Sequence, residues 1–94
     1  MAESALVRRE VYYSGRVQGV GFRYTVRAIA VGYAVAGYVR NLADGRVQLV
    51  AEGPADQVAG LLDEVHTAMG RYVRDAQVTE LTATGRLNGF EVRH

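Results

Sequence analysis

Hydrophobic positions along this chain repeat with two periods, and the switches between them mark its elements. From about Arg8 to Val17 the period is two. Val11, Tyr13, Gly15 and Val17 share one face and Glu10, Tyr12, Ser14 and Arg16 the other, as in a strand with one face covered and one wet. From about Phe22 to Val31 the period is helical, with Phe22, Val26, Ile29 and Ala30 on one stripe and Gly32 placed to end it. A second strand is predicted over Ala34 to Asn41, with Val35, Gly37, Val39 and Asn41 on one side. Asp44-Gly45 marks a hairpin turn, and Arg46 to Glu52 alternates Val47, Leu49 and Ala51 against Arg46, Gln48 and Val50. Gly53-Pro54 opens a second helix, in which Val58, Leu61, Leu62, Val65 and Met69 keep helical spacing until Gly70. Gly60 inside it should cost about 1 kcal/mol against Ala. A fourth strand is expected over Asp75 to Thr84, with Val78 and Leu81 as its large aliphatics, and a short last one over Phe90 to Arg93 with Phe90 and Val92 inward.

The order βαββαβ with a short extra strand predicts an α+β, ferredoxin-like sandwich. The expected sheet is four-stranded and antiparallel, in order 4-1-3-2, with two helices on one face and the extra C-terminal strand beside it. At 94 residues and 49% hydrophobic content the chain suits one domain over residues 1–94, with a loose tail at Met1 to Ala5 or Leu6. The net charge of +1 gives no bulk attraction for polyanions. There is no Cys and no Lys, which removes disulfides, thiolate nucleophiles and amine nucleophiles. No stretch has the length of a signal peptide's apolar region or of a bilayer span. A cytoplasmic monomer with no cofactor and no metal is the resulting expectation.

The chemistry concentrates between the first strand and the first helix. Gly15, Gly19 and Gly21 allow successive N–H groups to turn inward, and the helix start adds unpaired donors and a positive dipole end. Arg23 in that first turn is out of place unless an anion is bound, when its guanidinium can fork onto two oxygens. A Walker A loop is excluded, because Phe22-Arg23 follows Gly21 where Lys would stand. A dinucleotide fingerprint is excluded, because Tyr24 stands where its third glycine is needed. On glycine spacing alone, a plain strand-to-helix turn with Arg23 on the surface is the simpler reading.

Longer motifs change that balance. Gly15-Arg16-Val17-Gln18-Gly19-Val20-Gly21-Phe22-Arg23 resembles the first acylphosphatase signature. Gly37-Tyr38-Val39-Arg40-Asn41-Leu42-Ala43-Asp44-Gly45-Arg46-Val47 resembles the second, and the likeness continues through Val50 to Pro54 and Gly89 to Arg93. The resemblance implies hydrolysis of carboxyl–phosphate bonds without a cofactor, a phosphate-binding Arg matching Arg23 and a water-orienting Asn matching Asn41. Many members of that family have Trp where Tyr38 stands and Pro where Ala43 stands, which touches local packing rather than the site.

The residues themselves support a compatible chemistry. With strands one and two parallel about strand three, the loop after strand one and the end of strand two share a sheet edge, which brings Asn41 towards Arg23. His66 and His94 are read as lying away from this socket. No strong acid, base or covalent nucleophile remains. A substrate with a very good leaving group is therefore required. A carboxylate, whose conjugate acid has a pKa of about 4, leaves without being protonated. Phosphoryl transfer asks mainly for positioning and charge stabilisation. Backbone N–H groups of Gln18, Gly19, Val20, Gly21, Phe22 and Arg23, with the Arg23 guanidinium, would bind the phosphate, and Asn41 would hold the attacking water. The water's proton is expected to pass to a phosphate oxygen. The small-molecule partners are an acyl phosphate and inorganic phosphate, as product and inhibitor.

Blander readings stand beside these. Asn41 on its own fits a strand-end residue bonding backbone at the turn. Arg40 and Arg46 fit solvated hairpin charges, the tyrosines fit sheet packing, and the Gln18 side chain fits a loop-shaping role. A non-catalytic phosphate- or carbamoyl-phosphate-binding module is the first alternative, disfavoured by a chain that stops at His94. Nucleic-acid binding is the second. It is not expected, because strand three carries no aromatic, although strand one has Tyr12 and Tyr13.

Overall fold

The computed structural model describes residues 6–94. The elements are β1 (Leu6–Gly15), α1 (Phe22–Ala30), β2 (Ala36–Asn41), β3 (Val47–Pro54), α2 (Ala55–Met69), β4 (Val73–Leu81) and β5 (Phe90–Arg93), with a 3₁₀ turn at Gly70–Tyr72 between α2 and β4. The sheet order is β4-β1-β3-β2-β5. β1, β2 and β3 pair antiparallel where they meet, as do β1 and β4, whereas β5 adds parallel to β2. This is the expected ferredoxin-like order, with the extra strand on the β2 edge. The tail expected at Met1 to Ala5 lies outside the described residues. Leu6, counted with that tail, instead begins β1 opposite Pro54.

The core forms where apolar stripes meet. Val11 and Tyr13 of β1, Val39 of β2 and Val47, Leu49 and Ala51 of β3 face Phe22, Val26 and Ala30 of α1 and Val58, Leu61, Val65 and Met69 of α2. Phe22 and Val26 repeat one helical turn apart, so α1 lays a single edge on the sheet. Gly60 has a packing reason. A Cβ there would come within 2.6 Å of the Tyr33 ring, whose hydroxyl donates to Glu64 at 2.7 Å. The helical gain expected from Ala at this position therefore meets a steric cost.

Most element ends shift by one to three residues, and some of the departures have a tertiary reason. β3 runs to Pro54 because Leu6 pairs with it, so α2 starts at Ala55 with Pro54 as its cap. β3 also fails to alternate: Gln48 and Glu52, on the face away from the helices, are buried too. Long neighbours cover them. Gln48 accepts from Arg40 Nε at 2.6 Å and donates to Glu10 at 2.7 Å. Finally, β4 ends at Leu81 rather than Thr84 because Glu52 captures the chain beyond it. The N–H groups of Thr84 and Gly85 each donate to its carboxylate at 2.8 Å. β4 is an exposed edge strand, and Val78 (56% exposed) and Leu81 (40%) stay outside the core.

Burial by itself would raise the Glu52 carboxyl, but the Thr84 and Gly85 amides and the nearby Arg8 charge outweigh it and hold Glu52 below its ordinary value. A depressed native pKa contributes stability above the unfolded value and loses it as pH falls through the native one. Glu52→Gln should therefore flatten the acid limb of a urea-denaturation stability profile below about pH 4.5, where the unfolded carboxyl titrates. It should also lower stability at pH 7 by about 1–3 kcal/mol. An unchanged acid limb would show that Glu52 is not the titrating clamp.

Candidate active site

Local sequence sets the geometry of the loop between β1 and α1. Gly19 and Gly21 sit at φ +80° and +78°, and nothing lies within 4 Å of a Cβ built on either. Backbone conformation, not space, requires glycine here. Gly21 is the cap residue of α1, and it supplies no side-chain hydrogen bond to the helix N-terminus. The first turn holds no acidic residue. The start of α1 is thus left with donors and a positive dipole end, and with Arg23 rather than a carboxylate beside them.

Gln18 fastens this loop to the rest of the fold. Its Nε2 donates to the carbonyls of Leu42, at 2.8 Å, and Arg46, at 3.0 Å. These carbonyls flank the β2–β3 turn, which closes on itself through Leu42 N–H to Arg46 O at 2.8 Å and Asp44 Oδ1 accepting from Arg46 N–H at 3.1 Å. The Gln18 side chain is therefore spent on the hairpin, and any part it takes in anion binding falls to its main chain.

Asn41 ends β2 opposite Val47, which in turn pairs with Tyr13 of β1. The register puts Asn41 on the helix-side face, level with Tyr13. Phe22, the first residue of α1, packs on that tyrosine with ring centroids 5.0 Å apart. Asn41 is half-buried, and its carboxamide has no partner among the described residues. Arg23, also half-buried, reaches the same corner from above: its Nη1 donates to the carbonyl of Arg93, the β5 residue registered beside Arg40. Residues far apart in sequence thus meet where β1, β2 and β5 end.

One expectation is corrected here. His94 does not lie away from the socket; its Nδ1 is 3.0 Å from Arg23 Nη1. The parallel course of β5 carries it there, which no local pattern encodes. His66 is exposed late in α2, as expected.

Two titratable groups near the corner, Tyr13 and Asp44, are poor proton donors at neutral pH. Burial pushes the Tyr13 phenol up to about 12. Asp44 is held below its ordinary value by the backbone N–H and then the guanidinium of Arg46. Among the described residues no cluster of His, Cys, Asp and Glu could hold a metal ion. Arg46 lies over the Tyr12 ring at 4.6 Å, and Arg40 is exposed and bonded to Gln48.

Comparison with known proteins gives a consistent result. The family model for acylphosphatase matches residues 9–92. An acylphosphatase of Pyrobaculum islandicum is 52% identical over 92% of this chain and 93% of its own length. One of Nostoc sp. is 41% identical over 97% and 90%. The crystal structure of acylphosphatase from Bacillus subtilis superposes with a TM-score of 0.83 at 33% identity, covering 94% of this chain and 99% of that one.

Gln18→Ala should leave the core intact, with thermal unfolding shifted by only a few degrees. It should free the loop from the turn and lower inorganic phosphate affinity about 3- to 10-fold, roughly the value of a hydrogen bond or two. Isothermal titration with phosphate checks this; parent-like affinity would mean that the loop holds its shape without the Gln18 tether.

Proposed function

The chain belongs to the acylphosphatase family, and from that premise we propose that it hydrolyses the carboxyl–phosphate bond of acyl phosphates to a carboxylate and inorganic phosphate, with Arg23 and Asn41 as its catalytic residues. The observation that carries this is the meeting of an uncapped helix start, a half-buried Arg23 and an unpartnered Asn41 carboxamide at one sheet corner. The main-chain N–H groups from Gln18 to Arg23 and the guanidinium take the phosphate oxygens. They neutralise charge that shifts as the phosphorus–oxygen bond lengthens.

Asn41 receives the attacking water on its carbonyl and steadies it with its NH₂, opposite the leaving oxygen. Attack forms the new P–O bond as the bond to the acyl oxygen breaks, and the carboxylate leaves with the electron pair. The water's proton passes to a phosphate oxygen. No protein acid is needed, because the leaving group is a weak base. That matches a corner where Tyr13 and Asp44 are both shifted away from neutral-pH proton transfer. Alkyl phosphate esters, whose leaving groups need protonation, should be poor substrates.

No helix among the described residues is long and apolar enough to cross a membrane. We take the chain as one domain that works as a cytoplasmic monomer, since its apolar stripes close on one another within a single chain. Nucleic acid is not expected as a partner. The Tyr12 and Tyr38 rings on the open sheet face are covered by Arg46 and Arg93, at 4.6 and 3.8 Å, and so offer no bare stacking surface.

Arg23→Ala should cost at least about 10²-fold in kcat/KM for acetyl phosphate and weaken inhibition by inorganic phosphate. Normal activity in that variant would refute the clamp. Asn41→Ala should lose most turnover yet bind phosphate as the parent does. If phosphate binding is lost while the circular dichroism spectrum stays native, Asn41 is a binding residue instead.

A further inference from the structure

β5 is four residues long, yet its end reaches the catalytic corner. It runs parallel to β2 with Arg93 beside Arg40, so the residue after it emerges next to Asn41. There Arg23 Nη1 makes two contacts: it donates to the Arg93 carbonyl at 3.2 Å and to Nδ1 of His94 at 3.0 Å. A guanidinium carries its N–H donors in a fixed fork. With Nη1 engaged by the end of β5, the Nε and Nη2 edge remains for a side-on pair of bonds to two phosphate oxygens. The chain beyond β5 thus decides which edge of Arg23 faces the loop.

We infer that His94 is a positioning residue for Arg23, its neutral imidazole holding the guanidinium in the orientation that receives the phosphate. The inference rests on the assignment of Arg23 as the clamp. Nδ1 accepts a hydrogen bond only while the ring proton is on Nε2. A doubly protonated ring offers no acceptor and sets a positive charge against Arg23.

The other side chains around this contact come from three elements. From β5, the Arg93 guanidinium stacks on Tyr38 of β2 and donates to Glu91 at 2.8 Å, so that carboxylate is already engaged. From β2, Arg40 lies in register beside Arg93 and donates to Gln48. From α1 come Arg23 itself and the Tyr24 ring, 5.9 Å from its guanidinium carbon. Arginines dominate this set.

Sulfate is the suitable probe, because it is a dianion at pH 8 and is not a product of the reaction. Its inhibition of acetyl phosphate hydrolysis would be measured at pH 8 on the full chain. His94→Ala should weaken it about 3- to 10-fold, acting on KM more than on kcat. His94→Gln, which keeps a side-chain acceptor, should restore the parent value. Thermal unfolding of both variants separates these effects from loss of fold.

The inference fails if His94→Ala matches the parent, or if His94→Gln is as weak as His94→Ala. It also fails if His94→Ala binds sulfate more tightly, which would mean that the ring occupies the anion's own place. Arg23→Ala is the companion control. Unchanged sulfate affinity there removes the clamp and this inference together, whereas a normal Arg23 dependence with an inert His94 removes the inference alone.

Discussion

β3 is hydrogen-bonded along both edges by strands that run against it, and the rest of the molecule depends on that arrangement. Because β1 and β2 both oppose β3, they run parallel to each other and end at the same side of the sheet. Their registers meet at Val47, which faces Tyr13 on one edge and Asn41 on the other. The loop leaving β1 and the turn leaving β2 are thereby set side by side, close enough for Gln18 to bond both carbonyls of the turn. β5, added parallel to β2, brings a third strand end to the same place. A corner built from converging strand ends is fixed by the sheet and yet stays partly open to solvent.

The two faces of the sheet are used differently. The helix side carries the apolar core, with Val11, Leu49 and Val39 aligned across three strands. The other side is held by long polar side chains that cover one another. Arg40, Gln48 and Glu10 form a chain of hydrogen bonds across β2, β3 and β1, and Glu52 ties down the segment after β4. Among the described residues no buried side-chain nitrogen or oxygen lacks a partner, which avoids the penalty of an orphaned donor or acceptor. Stability is supplied by this face and by the core, to which the loop itself contributes Val17.

Arginine does several jobs in a chain without lysine. Arg46 and Arg93 lie flat on tyrosine rings while their guanidiniums bond Asp44 and Glu91. A planar guanidinium can stack and donate at once, which an ammonium cannot. The same property lets Arg23 spend Nη1 on β5 and keep another edge free.

Much of this was legible in the residues. The two-residue and helical periods located β1, β2, β3, α1 and α2, because each period follows from burying one face of an element; β4 is exposed along nearly its whole length and carries no such signal. Gly19 and Gly21 announced a loop with positive φ. The strand order followed from the βαββαβ succession, and Asn41 could be placed near Arg23 from that order alone. What stayed illegible involves contacts between elements distant in the chain. The burial of Gln48 and Glu52, the early end of β4 and the steric role of Gly60 each depend on a neighbour supplied by another element: Glu10 and Arg40, the Thr84 and Gly85 amides, and the Tyr33 ring. The place of His94 is the clearest case. Its own surroundings in the sequence mark only a residue after a short strand, and it meets Arg23 because β5 pairs parallel with β2. Local periodicity records which face of an element is buried; which side chains then touch is fixed by strand register, and register is settled only when the whole sheet has formed.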